Sequence, residues 1–332
     1  MSNYDIIGDI HGCATKLTDL LEGLGYRRDE SGVYRHSERT VIFVGDLIDR
    51  GDEQLQALQL VKAMVDAGSA QIIMGNHEFN AIAWATDHPE TGQPLREHTD
   101  HNRTQHEAFL ALTEEQQAHY IDWFKTLPLW LDLGEIRVVH ACWHPESIDV
   151  VMAATNGSGQ LTTVEDYVEA TRKGSALFDA VEVLIKGPEI SLPEHGMDPY
   201  WDHEANKERS KARIRWWDHD ASTLPELAEL RAARLNNGDP YPAYASRQVN
   251  DPKYLSYVYK DDVPLFYGHY WRQWEPVHRD EWTTYTACVD FSATRGGTLV
   301  AYRWSGEPEI KRENYVPHDP SIVAPTPSDQ TA

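Results

Sequence analysis

The chain has 332 residues, and its 53 acidic and 30 basic side chains give a formal net charge of −23. This length suffices for one large domain or two modest ones, and 11 tryptophans argue against extensive disorder. The acidic balance disfavours general binding to nucleic acid or to anionic membranes, because both carry negative charge.

The cysteines and the apolar runs of the sequence indicate the cellular compartment. Cys13, Cys142 and Cys288 are too few and too widely spaced for a disulfide framework or a zinc ribbon. The first residues lack the basic and apolar segments of a signal peptide, and no apolar run approaches the roughly 20 residues that span a bilayer. We therefore expect a soluble cytoplasmic protein.

Apolar runs and helical periodicity alternate over the first ninety residues. They predict strands at 4–8, 40–45 and 70–75, and helices at 14–24, 54–67 and 78–86. This alternation predicts helices packed on a largely parallel sheet.

The later chain mixes strand signals with two segments that we interpret as insertions, at about 87–126 and 150–260. The first is polar and rich in histidine and glutamate, which is typical of a segment that caps a site. The second has helical patterns at 164–171 and 224–235 among proline, glycine and aspartate, and strand signals resume after it. The remaining predicted strands are 129–133, 136–140, 264–267, 283–291 and 298–304.

The last two predicted strands alternate in polarity around Arg295-Gly296-Gly297, which favours a hairpin. From about residue 317 the chain is rich in proline, serine and threonine and is expected to form a loose tail. We therefore expect a single domain over 1–316, with both insertions inside it, followed by the tail 317–332.

Three motifs stand directly after predicted strands, where open α/β sheets place their ligand sites. They are Gly8-Asp9-Ile10-His11-Gly12, Gly45-Asp46-Leu47-Ile48-Asp49-Arg50-Gly51 and Gly75-Asn76-His77-Glu78. Each ends in carboxylate, imidazole or amide groups that bind metals.

A two-metal hydrolase needs ligands that hold its ions roughly 3.5–4 Å apart, with one bridging carboxylate. Asp9 and His11 can bend toward one ion, Asp46 is the natural bridge, and Asn76 can donate its amide oxygen to the second ion. Nitrogen and oxygen ligands without sulfur suit manganese, iron or zinc. A single motif could be an ordinary turn capped by Asp9, but independent turns would not supply this ordered set of ligands.

These motifs resemble the GDxHG, GDxxDRG and GNHE series of the calcineurin-like metallophosphoesterases. The first ninety residues resemble the phosphoprotein phosphatase branch, whose small bacterial members include asymmetric diadenosine-tetraphosphate hydrolases and serine/threonine phosphatases. The resemblance covers about 1–85 and returns near 136–143 and 263–304. It implies an α/β sandwich of two mixed β-sheets flanked by helices, with helical and loop insertions that shape a cleft.

The resemblance also implies two more histidine ligands, each after a strand. His140 and His269 fit, although Ala141-Cys142 after the first is a mild departure. They would complete the shell of the second ion with Asp46 and Asn76, and the first ion would have Asp9, His11, Asp46 and solvent. Two divalent ions are expected, manganese first, with iron, zinc or nickel as alternatives. Either histidine could instead be an ordinary buried residue.

The mechanism implied by the resemblance is attack on phosphorus by a hydroxide that bridges the ions. His77 would be the general acid toward the leaving oxygen, with Asp49 orienting it. Arg50 would clamp phosphate oxygens. This family has a second arginine from the middle of the chain, and the candidates are Arg213 and Arg215, which could equally be structural.

The residue at position 271 helps to distinguish the phosphodiesterase and phosphatase branches of the family. Phosphodiesterase members carry Gly-His-x-His, and here Trp271 replaces the second histidine, which favours a phosphatase. The expected substrate is a phosphoprotein or small phosphoester, and the alternative is a dinucleoside polyphosphate of the diadenosine tetraphosphate type. A catalytically silent binding or scaffold protein on the same fold is the alternative of another class.

Overall fold

The computed structural model describes residues 3–202, 207–230, 233–242, 248–274, 276–294 and 296–321. Its strands are β1 (Asn3–Ile7), β2 (Arg27–Arg28), β3 (Tyr34–Arg35), β4 (Arg39–Phe43), β5 (Ala70–Ile72), β6 (Trp130–Asp132), β7 (Arg137–Val139), β8 (Glu189–Ser191), β9 (Tyr200–Asp202), β10 (Lys207–Arg209), β11 (Lys211–Arg213), β12 (Leu265–Tyr267), β13 (Thr286–Cys288), β14 (Val300–Trp304) and β15 (Tyr315–Pro317).

The helices alternate with these strands in the first ninety residues and cluster in the two predicted insertions. They are α1 (Ala14–Gly23), α2 (Gln54–Asp66), α3 (Asn76–Ala85), α4 (Asp100–Gln105), α5 (Glu107–Leu110), α6 (Glu114–Phe124), α7 (Pro145–Ala154), α8 (Val164–Thr171), α9 (Ala176–Lys186), α10 (Leu224–Leu227) and α11 (Pro252–Leu255). None of the described helices is both long and apolar enough to cross a membrane.

Two mixed sheets form the centre of the fold. The first has the order β15-β14-β1-β4-β5, with β1, β4 and β5 parallel and β14 antiparallel to β1. The second has the order β13-β12-β7-β6, with β12 parallel to β13 and β7, and β6 antiparallel to β7. The predicted fold class, two mixed sheets flanked by helices, is confirmed.

The alternation of side chains along each strand explains why the sheets pack face to face. Ile6 and Ile42 of the first sheet share one fully buried cluster with Val138 and Phe266 of the second. The next residue along each strand points to the opposite face, and Ile7, Phe43, Val139 and Tyr267 lie in the cluster that includes the helices. One face of each sheet thus forms the sandwich interior, and the other receives helices.

The predicted hairpin around Gly296 is wrong. β13 pairs in parallel with β12 in the second sheet, whereas β14 pairs antiparallel with β1 in the first. The segment between them therefore crosses from one sheet to the other. Polarity alternation reports which face of a strand is buried, but not which strand is its neighbour. Arg295 itself lies outside the described residues.

The insertions and the end of the chain agree with the sequence in part. The helix predicted at 164–171 is α8, but the one predicted at 224–235 ends at Leu227, because Ala228 bridges to Ile214 instead of continuing the helix. Pro317 still pairs with Val300 in β15. Most of the predicted tail, 322–332, lies outside the described residues, and the extent of the domain stays a prediction.

Truncating one residue of the sandwich interior tests this packing. Ile42 is fully buried between the sheets, so Ile42→Ala should lower the free energy of unfolding by about 2–5 kcal/mol in a denaturant titration. Val164→Ala is the control, since this side chain is 41% exposed, and it should change stability by less than about 0.5 kcal/mol. A loss below about 1 kcal/mol for Ile42→Ala would contradict the sandwich packing.

Candidate metal centre

Five residues that the sequence predicts as site residues have an unusual backbone conformation. Positive φ angles are found at His11 (45°), Asp46 (50°), Asp49 (71°), Arg50 (69°) and His269 (65°). A side-chain-bearing residue pays of order 1–3 kcal/mol for this conformation, which persists where the surroundings enforce it and clusters at functional sites. The turns after β1, β4 and β12 thus hold these side chains in one arrangement at a cost in stability.

Backbone hydrogen bonds between the first two turns enforce that arrangement. The amides of Ile10 and His11 both donate to the carbonyl of Asp46, at 3.1 and 2.9 Å, and Gly12 donates to Leu47 at 2.7 Å. The turn after β1 is therefore bound directly to the turn after β4. Side chains from both turns face the same edge of the sandwich.

His11 and Asp46 form the first group of donor atoms. His11 Nδ1 donates to the carbonyl of Ile48 at 2.8 Å, which directs Nε2 inward, 3.7 Å from Asp46 Oδ2. Burial, followed by the neighbouring Arg50 and His77, lowers the pKa of His11 to about 3. The ring is therefore neutral and its Nε2 lone pair can bind a cation.

Asn76, His140 and His269 meet Asp46 in the second group. Asn76 Oδ1 lies 3.1 Å from His140 Nε2 and 2.7 Å from His269 Nδ1, and His140 Nε2 lies 3.5 Å from Asp46 Oδ2. His140 Nδ1 lies 2.7 Å from the carbonyl of Val44 and donates to it. In neutral His140 the Nε2 lone pair then faces the Asn76 oxygen, and a cation between these two acceptors would satisfy both.

Asp46 belongs to both groups. The donor atoms of His11, Asp46 and His77 lie within 4.8 Å of one another, and so do those of Asp46, His140 and His269. Burial opposes the charge of Asp46, but the His140 and His77 rings hold the pKa of its carboxyl well below the usual value. A charged carboxylate shared by two donor groups is the arrangement that a two-metal site needs, so the residues present fit two divalent ions.

Asp9 reaches the same edge but lies in neither group of three. Its oxygens accept hydrogen bonds from the amide of His269, at 3.3 and 3.1 Å. This approach needs Gly268, because a Cβ there would lie 2.1 Å from Asp9 Oδ1. Burial and the neighbouring Asp290 and Asp46 carboxylates raise the pKa of Asp9. Its role as a metal ligand stays a prediction.

Asp290 is a site residue that the sequence reasoning missed. It is buried, follows β13, and its carboxyl interacts with that of Asp9. Asp9 was singled out because it follows a predicted strand. The strand predicted at 283–291 extends past the observed end of β13 at Cys288, so Asp290 was assigned to the strand and not to the turn after it.

Glu78 is a second missed residue, although it belongs to a quoted motif. Its Oε2 accepts from the amides of Asp46 and Gly75 at 2.8 and 3.0 Å, and its Oε1 accepts from Leu47 at 2.8 Å. Burial and Asp46 raise the pKa of Glu78 to about 7. Its position at the third residue of α3 is typical of a capping glutamate, which is the signal that could have found it.

His77 points one ring nitrogen at each of two carboxylates. Nδ1 donates to Asp49 Oδ2 at 2.6 Å, and Nε2 lies 3.9 Å from Asp46 Oδ2. Burial works against a charge on this ring, yet Asp46 and Asp49 raise its pKa. Asp49 Oδ2 also accepts from His106 Nδ1 at 2.8 Å. No sequence pattern distinguishes His106 from the other histidines of the first insertion.

The three predicted arginines have different surroundings. Arg50 Nη1 lies 2.8 Å from His11 Nε2, and a cation bound to His11 would replace this contact, because Nε2 has a single lone pair. The Arg213 guanidinium lies over the Tyr270 ring at 5.3 Å, and after burial it is the largest factor that lowers the pKa of His269. Arg215 instead pairs with Asp280 at 2.8 Å and Glu229 at 3.8 Å. Arg50 and Arg213 therefore lie beside the candidate ligands, whereas Arg215 forms ion pairs with Asp280 and Glu229.

The family described as calcineurin-like phosphoesterase matches residues 3–270. The match covers more than half of the chain and includes all the candidate metal ligands, so the chain belongs to this family. The resemblance drawn from the three motifs is confirmed.

Curated relatives match the chain over part of their length. Bis(5'-nucleosyl)-tetraphosphatase PrpE [asymmetrical] of Oceanobacillus iheyensis is 34% identical over 142 residues, which cover 41% of this chain and 54% of the relative. The Bacillus subtilis protein of the same name is 32% identical, over 42% of this chain and 57% of the relative. A symmetrical bis(5'-nucleosyl)-tetraphosphatase of Marinomonas sp. is 29% identical, over 50% and 55%. The chain spans about half the length of the curated relatives it matches.

Solved structures are similar over more of the chain at lower identity. A putative diadenosine tetraphosphatase has a TM-score of 0.44 and 15% identity, covering 95% of this chain and 93% of its own. A protein serine/threonine phosphatase from Saccharomyces cerevisiae has a TM-score of 0.47 and 13% identity, covering 95% and 78%.

A methyl group at Gly75 should displace the shared carboxylate. A Cβ there would lie 2.3 Å from Asp46 Oδ1 and 2.4 Å from the Asp46 amide, so Gly75→Ala should lower the bound manganese measured by elemental analysis after dialysis. Gly23→Ala is the control, because a Cβ there meets nothing within 4 Å, and its metal content should be unchanged. Full metal content in Gly75→Ala would show that Asp46 does not hold the ions.

Proposed function

We propose that this protein hydrolyses phosphate esters with two divalent ions held at the sandwich edge. The observation that carries the proposal is the carboxylate of Asp46, which lies in one donor group with His11 and His77 and in a second with His140 and His269. His11, Asp46 and Asp9 would hold one ion, and Asp46, Asn76, His140 and His269 the other. Bound there, two divalent ions would polarise a phosphoryl oxygen and lower the pKa of a water molecule.

Manganese is the metal that we propose, with iron, zinc and nickel as alternatives. All the candidate donors are oxygen or imidazole nitrogen, and none of the three cysteines lies in either described donor group. Imidazole with carboxylate and amide oxygens suits these borderline cations better than soft ones.

His77 would give a proton to the leaving oxygen. Its Nε2 faces the shared carboxylate, and its Nδ1–H is anchored on Asp49, which keeps the ring in one orientation. Both carboxylates raise its pKa, which favours the protonated ring that a general acid needs.

Arg50 and Arg213 supply positive charge toward the phosphate. Both guanidinium groups lie beside the candidate histidine ligands, and a guanidinium matches two phosphate oxygens with two hydrogen bonds. They would also hold the substrate against the net negative charge of the chain.

Two substrate classes fit this centre. A phosphoprotein or small phosphomonoester is the first, and the tryptophan at 271 in place of a second histidine supports it. A dinucleoside polyphosphate is the second, and the names of the curated relatives favour it. A silent scaffold is disfavoured, because the donor groups, the candidate acid and the arginines all occupy one edge.

The test is turnover on p-nitrophenyl phosphate, a serine phosphopeptide and diadenosine tetraphosphate, with and without a chelator. We expect metal-dependent release of phosphate or nucleotide from at least one of them, and the preferred substrate decides between the two classes. Absence of turnover on all three by protein loaded with two ions would overturn the proposal.

Asp46→Asn should remove the shared charge at nearly constant volume. The loss of at least one bound ion and a fall in turnover of about two orders of magnitude or more are expected, since even residues behind a ligand cost 10–100-fold. Asp149→Asn, on an exposed position of α7, is the control and should keep both. Full metal content and turnover in Asp46→Asn would refute the bridging role.

Arg213→Ala and Arg215→Ala form a matched pair. Loss of a charged hydrogen bond to phosphate costs about 1.5–3 kcal/mol, so Arg213→Ala should lower kcat/KM by roughly 10–100-fold with little change in stability. Arg215→Ala should instead lower stability, because Asp280 and Glu229 each lose one ion pair, and leave kcat/KM unchanged. The reverse pattern would make Arg215 the phosphate clamp.

A further inference from the structure

The carboxylate of Asp49 holds two imidazole rings, not one. His77 Nδ1 and His106 Nδ1 both donate to Asp49 Oδ2, at 2.6 and 2.8 Å. Asp49 is fully buried and His106 is 1% exposed, so water does not compete for either bond. The two rings stand edge to face, with centroids 6.3 Å apart.

His106 comes from a different part of the chain than its partners. It is the residue between α4 and α5, within the segment 87–126 that the sequence marks as an insertion. The centroid of its ring lies 6.0 Å from that of Trp84, with the two rings inclined at 63°. The first insertion thereby contributes His106 to the centre, where it contacts Asp49, the residue that anchors His77.

Packing is a poor explanation for an imidazole at this position. The Nε2 atom of His106 is buried and finds no hydrogen-bond partner among the described residues. Leaving such an atom unsatisfied costs about 1–3 kcal/mol, and an apolar ring of the same size would avoid this cost. The side-chain hydrogen bond that the imidazole makes is to Asp49, so this bond explains the choice of histidine better than packing does.

The second bond restricts the rotation of the Asp49 carboxylate. Asp49 has a positive φ, its amide donates to Gln54 Oε1 at 2.8 Å, and its Oδ1 is buried without a partner among the described residues. The orientation of the carboxylate therefore depends on the donors that meet at Oδ2. With His77 as its one donor, that oxygen could turn together with the His77 ring.

We propose that His106 is a positioning residue that fixes Asp49 and, through it, the direction in which His77 presents Nε2–H to the leaving oxygen. This inference rests on the proposed role of His77 as the general acid. It gives the insertion 87–126 a direct part in the chemistry besides covering the centre.

Leaving-group dependence tests the proposal. An alkyl or phenyl phosphate needs a proton on its leaving oxygen, whereas p-nitrophenolate leaves well without one. General acids contribute typically 10²–10⁴-fold, so His106→Phe should lower kcat on phenyl phosphate by about tenfold or more while changing kcat on p-nitrophenyl phosphate by less than about threefold. KM and the content of two bound ions should not change.

Two further variants make this readout specific. His106→Asn can place an amide N–H near the lost Nδ1 and should restore most of the activity on phenyl phosphate. His119→Phe, at an exposed histidine of α6, should behave as the unsubstituted protein on both esters. If His106→Phe fails to fold, His106→Asn and His106→Leu form the comparison, with and without a donor.

The result that overturns the proposal is an equal change, or none, on the two esters in His106→Phe. His77→Asn separates this failure from that of the proposed function. If His77→Asn shows strong leaving-group dependence and His106→Phe does not, only the role of His106 is refuted. If neither variant shows leaving-group dependence in protein that holds both ions, the proposed role of His77 as the general acid is refuted as well.

Discussion

The carboxylate of Asp46 is the constraint on which the rest of the centre depends. It lies between two groups of donors that come from both sheets, and it sits in a turn whose backbone has a positive φ. Keeping a buried, charged side chain there is costly, and several interactions offset that cost. The Glu78 carboxylate accepts a hydrogen bond from the Asp46 amide, and the His77 amide donates to Asp46 Oδ1 at 2.9 Å.

The sandwich makes this constraint possible because it brings the ends of unconnected strands to one edge. β1, β4 and β5 deliver Asp9, Asp46 and Asn76 from the first sheet, while β7 and β12 deliver His140 and His269 from the second. Parallel neighbours within each sheet keep these ends aligned. Close packing of fully buried side chains between the sheets then fixes the distance between the two halves of the centre.

Prediction succeeded where the information is local. The strand bounds around the three motifs were right to within a few residues, since apolar runs and glycine turns determine them. Prediction failed where the structure depends on which strand pairs with which. The hairpin at 283–304 was wrong because β13 and β14 have similar alternation but belong to different sheets. Asp290 was missed for another reason, because the strand predicted at 283–291 runs past the end of β13 and includes this residue.

His106 shows the same limit within the site. The first insertion contains several histidines, and nothing in their spacing separates the one that bonds Asp49 from those that lie on the surface. Arg213 and Arg215 are both candidates for the second arginine of the family. The sequence does not distinguish them, and only their tertiary surroundings do. Arg213 lies beside His269, whereas Arg215 pairs with acidic groups elsewhere.

The sequence by itself determined the family, the mixed α/β sandwich and most of the residues at its edge, because short motifs after strands carry both the turn geometry and the donor atoms. Tertiary structure decided which donor atoms lie close to the Asp46 carboxylate, which of the two candidate arginines lies beside His269, and that Asp49 has a second imidazole partner. These are contacts between residues dozens to hundreds of positions apart. They depend on how two sheets stack, and no local pattern encodes that stacking.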